Sequence, residues 1–264
     1  MKEGRAGPGL VASYVLSALT IAEMEVRKIR HSQSELWIRA VQPVLWLLVF
    51  GEALATVRGI APGNYPYIEF ITPGILAQSV LFIAIFYGVT LVWERDLGLL
   101  TKLMASPAPR PAIIFGKAVA ASIRGLFQAA LVLILSLVIG TGVTVSLATV
   151  FGVILVSFLL AMCFSSLSMI IASIAKSRER MMGLSQVITF PLFFASNAIY
   201  PTSIMPTWLQ LVATANPLTY GVQAMRGMLV MGNFSNVPTD VGILGAYTMV
   251  LLVLASYSIR RILS

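Results

Sequence analysis

The chain has 264 residues, of which 58% are hydrophobic and only 11% charged, with a mean hydropathy of +0.90 and a formal net charge of +8. A soluble domain carries roughly 25% charged residues, so this composition excludes one, and the clustering of the charges between long apolar runs indicates a single integral membrane domain. The lone cysteine, Cys163, lies inside an apolar run, which excludes an intrachain disulfide and reads as a small buried hydrophobe.

From the N-terminus, Pro8 to Ala22 is apolar but too short to span, carries Ser13, Tyr14, Ser17 and Thr20, and shows no small-x-small cleavage site before the charged run. An amphipathic helix over residues 8–36, lying at the cytoplasmic interface, fits better than a cleaved signal peptide. The stretch "EMEVRKIRHSQSELWIR" mixes signs at helical spacing, and His31 sits there alone on what reads as a solvated face.

Six stretches then approach the length of about 20 mainly apolar residues that a spanning helix needs. They are Val41–Val57 (with Glu52 near its end), Ile68–Trp93, Ile113–Ile139, Val143–Ala175 after the break Gly140-Thr-Gly142, Met182–Tyr200 (with Pro191 and Asn197), and Val241–Ile259. Backbone groups in lipid must be satisfied within the segment, so these are helices, and the expected fold is an all-α membrane protein with six spans. Of the 18 Lys and Arg, all but Arg58 and Arg226 fall on one side of that topology, which places both termini in the cytoplasm. The positive charge is therefore a topology signal. No aromatic-basic platform accompanies it, and a nucleic-acid surface is not expected.

Between the second and third spans lies "WERDLGLLTKLMASP", Trp93 to Pro107. At 3.6 residues per turn Leu99, Leu100, Leu103 and Met104 gather on one face, with Glu94, Asp96 and Lys102 elsewhere and Asp96 suiting a helix start. Pro107 and Pro109 stop the helix. Two readings stay open: a connector resting on lipid, or a docking helix, residues 94–106, whose apolar face enters a groove on a soluble partner.

The stretch "ERDLGLLTKLMASPAPRPAIIFGK" resembles the segment that ABC-2 type transporter permeases carry after their second span. It has Glu-Arg, a Gly four residues after the Glu, a leucine pair, Ser-Pro and a Gly-Lys opening the next span. "YPTSIMPTWLQLVATANPLTYGVQAMRG", Tyr200 to Gly227, is similar to that family's pattern between its last two spans, and "FITPGILAQSVLF" is similar to the daunorubicin-resistance and nodulation-export branch. The resemblance implies a half-transporter, in which two permease chains form the pathway, commonly as a homodimer, and two separate ATP-binding cassette subunits bind ATP and Mg. It also implies that Glu94, Arg95, Asp96, Gly98, Leu99, Leu100, Leu103, Met104, Ser106 and Pro107 form a coupling helix. The chain carries no G-x-x-x-x-G-K-[ST] phosphate loop, no metal-spaced His/Cys/Asp/Glu cluster and no Ser-His-Asp set, so it is not expected to be an enzyme or to hold a cofactor.

The segment 201–237 contains two short apolar ridges. Pro206 and Trp208 mark the first, and Asn216, Pro217, Thr219 and Tyr220 open the second. The family implies re-entrant helices here, shaping an exit; the alternative is an ordinary external loop with interfacial aromatics. Arg226 would lie at head-group depth or deeper, with Glu52, Glu69 or a lipid phosphate as partner. For the pathway, the first, second and fifth spans offer Gln42, Trp46, Phe50, Gln78, Ser79, Phe82, Phe86, Tyr87, Gln186, Phe190, Phe193, Phe194 and Asn197. Aromatic and amide groups with no charge at the span centres suit an amphipathic, lipid-like or drug-like cargo, although such residues also simply fill helix packing. The expected protein is an exporter permease of a prokaryotic inner membrane. A polysaccharide or lipo-oligosaccharide exporter and a non-transporting membrane scaffold are the alternatives left open.

Overall fold

The structure is a computed structural model, and it describes residues 19–24, 27, 33–53, 65–105, 109–175 and 177–258. The expected interfacial helix over residues 8–36 lies mostly outside the described residues, as do residues 54–57 of the first expected span and, in the docking stretch, Ser106 and Pro107. Residues 19–24 are helical, and Arg27 donates to Glu23 at 2.8 Å on an exposed surface.

Among the described residues, nine helices follow: α1 (Gln33–Ala53), α2 (Tyr67–Asp96), α3 (Leu99–Met104), α4 (Arg110–Ile139), α5 (Leu147–Ile174), α6 (Arg178–Phe194), α7 (Thr207–Thr214), α8 (Pro217–Leu229) and α9 (Val237–Ser258). Four of them, α2, α4, α5 and α9, are long and apolar enough to cross a membrane. The other two expected spans depart from the expectation: α1, with 21 residues, already begins at Gln33 rather than Val41. α1 stops at Ala53, where the described residues break off. α6 has 17 residues, about 25 Å at 1.5 Å per residue, and ends at Phe194 rather than Tyr200.

The boundaries have local causes. Pro109 and Pro111 open α4, because a missing N–H costs nothing in a first turn, and Gly140 closes it with φ 78°. The chain does not re-enter helix at Val143, as expected, but at Leu147, because the Ser146 hydroxyl accepts from the Thr149 N–H at 3.1 Å and caps there. Residues 143–146 instead run alongside the end of α8, where the Thr144 N–H donates to the Leu229 carbonyl at 2.8 Å.

α2 is the central helix, buried along most of its length against α4, α5, α6 and α8. Small residues let it approach its neighbours. The Gly88 N–H donates to Ser168 Oγ at 3.0 Å, and that hydroxyl donates to the Ile85 carbonyl, so α2 and α5 meet almost backbone to backbone. At Gly74 the fit is closer still, since a Cβ there would stand 2.1 Å from the Ala198 carbonyl oxygen. Gly74→Ala is therefore expected to destabilise the protein by about 1–3 kcal/mol. Gly245→Ala, where a Cβ meets nothing within 4 Å, should leave the thermal midpoint unchanged. Thermal unfolding of the two variants, side by side in detergent, checks the contrast.

α7 and α8 form a hairpin that enters and leaves at one end of the bundle. Along α5, Gly221 packs on Leu160 and Met228 on Gly152, so α8 runs antiparallel to α5 and rises toward Thr144. The turn between α7 and α8 lies deep, because Tyr247, ten residues into α9 or about 15 Å, donates to the Ala215 carbonyl at 3.0 Å. Asn216 fixes that turn on both sides: its Oδ1 accepts from the Leu218 N–H at 3.0 Å, and its Nδ2 donates to the Leu192 carbonyl of α6 at 2.6 Å. Pro206 caps α7, whose Trp208, Leu211 and Val212 all face away from the chain. Thr219 and Pro217 are buried, and the Tyr220 hydroxyl donates to the Thr214 carbonyl at 2.6 Å.

Candidate functional site: a braced basic end, an aromatic face and an arginine-lined cavity

Three places gather the chemistry-bearing residues. The first is the end of the bundle where α2 and α5 finish and α4 and α6 begin. The residues expected as one short helix are divided there. Glu94, Arg95 and Asp96 complete α2, Gly98 breaks the chain with φ 69°, and only Leu99–Met104 form α3. The break has a reason: the Leu97 and Gly98 N–H groups bond back to Trp93 and Arg95, closing α2, and a positive φ is accessible to glycine without strain.

The charges of this end hold the helices together. Lys117 Nζ donates to Glu94 at 2.5 Å, tying α2 to α4 with both side chains almost wholly buried. Arg95 donates to Asp96 and to the Ala175 carbonyl at the end of α5, while Arg178 of α6 donates to Asp96 at 3.2 Å and stacks 4.5 Å above the Trp93 ring. Four helix ends are thus cross-linked around two carboxylates. The exposed Glu179 beside them is held below the usual carboxylate range, chiefly by its own backbone N–H and by the Ser177 hydroxyl.

The apolar residues of α3 do not form the single outward face the periodicity suggests. Leu100 is fully buried in a cluster with Val92, Ile114, Ala118 and Met181, Leu103 is half-buried, and Leu99 is 47% exposed. Leu97, just before the glycine, is 65% exposed, so the outward apolar pair is Leu97 and Leu99. The α3 backbone includes Met104, whose side chain lies outside the described set.

The second place is an aromatic face shared by α1, α2 and α6. Trp46 meets Phe193 edge-on at 5.5 Å and Phe194 at 6.3 Å, Phe194 stacks on Phe190 at 6.3 Å, and Phe190 meets Phe82 edge-on at 5.9 Å. Phe190 and Phe194 remain more than 40% exposed. Beside this ladder, Gln42, Pro43, Gln78, Ser79, Phe82, Ile83, Phe86 and Gln128 line a small cavity of about 40 Å³. Both amide atoms of Gln78 and of Gln128 are buried there without a hydrogen-bond partner among the described residues. Gln128 belongs to α4, outside the helices chosen from the sequence, and only its placement opposite Gln78 reveals it. Gln186 is exposed elsewhere on α6, Tyr87 is buried, and Phe50 belongs to α1 with its side chain outside the described set.

Asn197 is not part of that face. Past Phe194 the chain unwinds, and the carbonyls it frees must find donors. Arg226 supplies them: Nη2 donates to the Asn197 carbonyl at 2.8 Å and reaches the Ala198 carbonyl at 3.5 Å, while Nε donates to the Phe70 carbonyl at 3.2 Å. Its guanidinium carbon lies 3.8 Å from the Phe70 ring centroid, and Tyr67 completes the arrangement by donating to the Ile199 carbonyl at 2.9 Å. Backbone carbonyls, and not Glu69, are therefore the partners of Arg226; Glu69 instead lies against Gly142, and the Glu52 side chain is outside the described set. Arg226, Asn197 and Asp240 share the wall of a cavity of about 430 Å³ between α8, the 195–202 turn and the start of α9.

A helical bundle with four helices long and apolar enough to cross a membrane is that of an integral membrane protein. Residues 14–230 match the family model described as ABC-2 type transporter, and the chain belongs to that family. It is similar to the protein named as transport permease ycf38 of Porphyra purpurea, at 30% identity over 188 residues covering 70% of this chain and 64% of that one. It is also similar to the daunorubicin resistance ABC transporter permease protein DrrB1 of Streptomyces coeruleorubidus, at 24% over 218 residues, 83% of this chain and 76% of the other. The inner membrane transport permease YadH of Escherichia coli K12 matches at 24% over 242 residues, 88% and 91% of the two chains. The matched stretch thus spans 64% of the length of the ycf38 relative.

Proposed function

We propose that this chain is the permease subunit of an ATP-driven exporter in a prokaryotic inner membrane. Two copies pair, each engaged from the cytoplasm by an ATP-binding cassette subunit that binds ATP and Mg. The observation that carries this reading is the exposed pair Leu97 and Leu99 around Gly98, presented by an end whose helices are cross-linked through Glu94–Lys117 and Asp96–Arg178. A short apolar projection on a stiff base suits a groove on a soluble partner. The ion pairs would carry a push on α3 into α2, α4, α5 and α6 together.

In this reading α1 and α6 complete six spans with both termini inside, and α7 and α8 are re-entrant helices. α1 and α6 would also form the face toward the second copy, because Leu45, Val49, Val187, Phe190 and Phe194 are exposed there around the aromatic ladder. The cargo moving along that face is amphipathic, lipid-like or drug-like, since the face offers the exposed rings of Phe190 and Phe194 rather than charge.

Tagged protein purified from native membranes in mild detergent is expected to bring with it an ATP-binding cassette subunit near one-to-one, together with ATP hydrolysis that responds to cargo. Repeated recovery without such a subunit would sink the exporter reading and leave α3 as a connector lying on lipid.

A further inference from the structure

The cavity at the opposite end of the bundle is unlike the rest of the molecule. Its wall holds a guanidinium, Arg226, and a carboxylate, Asp240, which form no ion pair with each other, although both residues are less than a tenth exposed. Two of the Arg226 nitrogens, Nε and Nη2, are engaged by the carbonyls of Phe70, Asn197 and Ala198, while Nη1 has no partner among the described residues. The other polar side chains of the lining, among them Gln223, Asn236 and Thr239, are neutral. The cavity thus presents one cation and one anion among neutral polar groups.

A bare anion would meet the carboxylate as well as the guanidinium, and a bare cation the reverse. A ligand carrying both a phosphate and an N–H donor satisfies both charged groups. Position selects among such ligands. Phe70 lies one turn inside the start of α2 and Asp240 one turn inside the start of α9, about 5 Å from the ends of helices that cross a membrane. That is head-group depth. Met231, on the rim and 47% exposed, with the exposed Phe234 beside it, provides apolar surface where acyl chains would leave the site.

We propose that this cavity binds the phosphoethanolamine head group of a bilayer lipid, phosphate on Arg226 and ammonium on Asp240. The assignment goes beyond the proposed export activity and involves the end of the bundle away from α3, so it stands or falls independently of the ATPase contact.

The test reconstitutes the purified complex in vesicles of equimolar phosphatidylethanolamine and phosphatidylcholine, which differ in whether the amine carries N–H donors. Native mass spectrometry then counts the lipid retained. Phosphatidylethanolamine is expected to be retained about tenfold over phosphatidylcholine, the value of one charge-assisted hydrogen bond. Asp240→Asn should bring that ratio to about one while the thermal midpoint holds, because the carboxylate makes no ion pair among the described residues. Arg226→Lys keeps the charge and should lose retention of both lipids. Equal retention of the two lipids by the unaltered protein, or unchanged selectivity in Asp240→Asn, would overturn the proposal. Displacement of the lipid by equimolar soluble glycerophosphoethanolamine would overturn it too, in favour of a soluble ligand.

Discussion

Leu99→Asp is expected to abolish co-purification of the ATP-binding subunit while leaving the permease folded. Leu99 is 47% exposed on α3, so a carboxylate there stays hydrated in the isolated chain and costs the fold little. In a complex the same side chain would enter an apolar groove, where an unpaired carboxylate is heavily penalised. Loss of one central apolar anchor weakens an interface by about 2 kcal/mol, roughly 30-fold, and the buried charge adds to that. Leu100→Asp separates the two effects. Leu100 is fully buried against Ile114 and Met181, so the carboxylate there falls inside the bundle itself and the protein should not be recovered from membranes. Leu99→Met, which keeps volume and apolarity, should retain the partner. Size-exclusion profiles, thermal midpoints and subunit stoichiometry measured on the three variants decide the matter. A Leu99→Asp protein that still holds its ATPase at full stoichiometry would remove α3 from the contact.

The difference between Leu99 and Leu100 shows where the sequence stops being informative. Periodicity places four apolar residues of α3 on one face, but cannot say whether that face points to the bundle or away from it. The geometry answers through Gly98, whose φ of 69° turns α3 so that Leu100 goes inward and Leu99 outward. Long apolar elements are legible because hydropathy and length suffice: α4 begins at the proline pair and ends at Gly140 much as its residues suggest. α5 starts four residues later than hydropathy alone suggests, because the Ser146 hydroxyl decides where the helix begins. The partners of Arg226 were not legible at all. They are main-chain carbonyls, freed because α6 unwinds after Phe194, and no side-chain pattern announces them. The same blindness applies to Gln128, whose role depends on facing Gln78 across two helices, and to Lys117, which stands 23 residues from the carboxylate it neutralises.

That buried pair carries the second large effect. Lys117→Met leaves the Glu94 carboxylate buried without its ammonium, and removing one partner of a buried ion pair costs about 3–5 kcal/mol. Glu94→Met removes the same buried ion pair and should cost a similar amount. For a chain of this length either change corresponds to a fall in the thermal midpoint on the order of 10 °C. The double variant removes both charges, and well-packed apolar replacements of buried pairs are often neutral or stabilising, so it is expected to regain most of the loss. If stability were all the pair supplied, the double variant would then transport normally. The pair, however, fixes α4 to the last turn of α2, one residue from Arg95 and two from Asp96, which in turn hold Ala175 and Arg178. Apolar side chains can slide where a 2.5 Å ion pair cannot. The double variant, reconstituted with its ATPase, is therefore expected to hydrolyse ATP at close to the normal rate and to move less cargo per ATP. Normal coupling in a stable double variant would confine Glu94 and Lys117 to the fold and shift the transmission to Asp96 and Arg178.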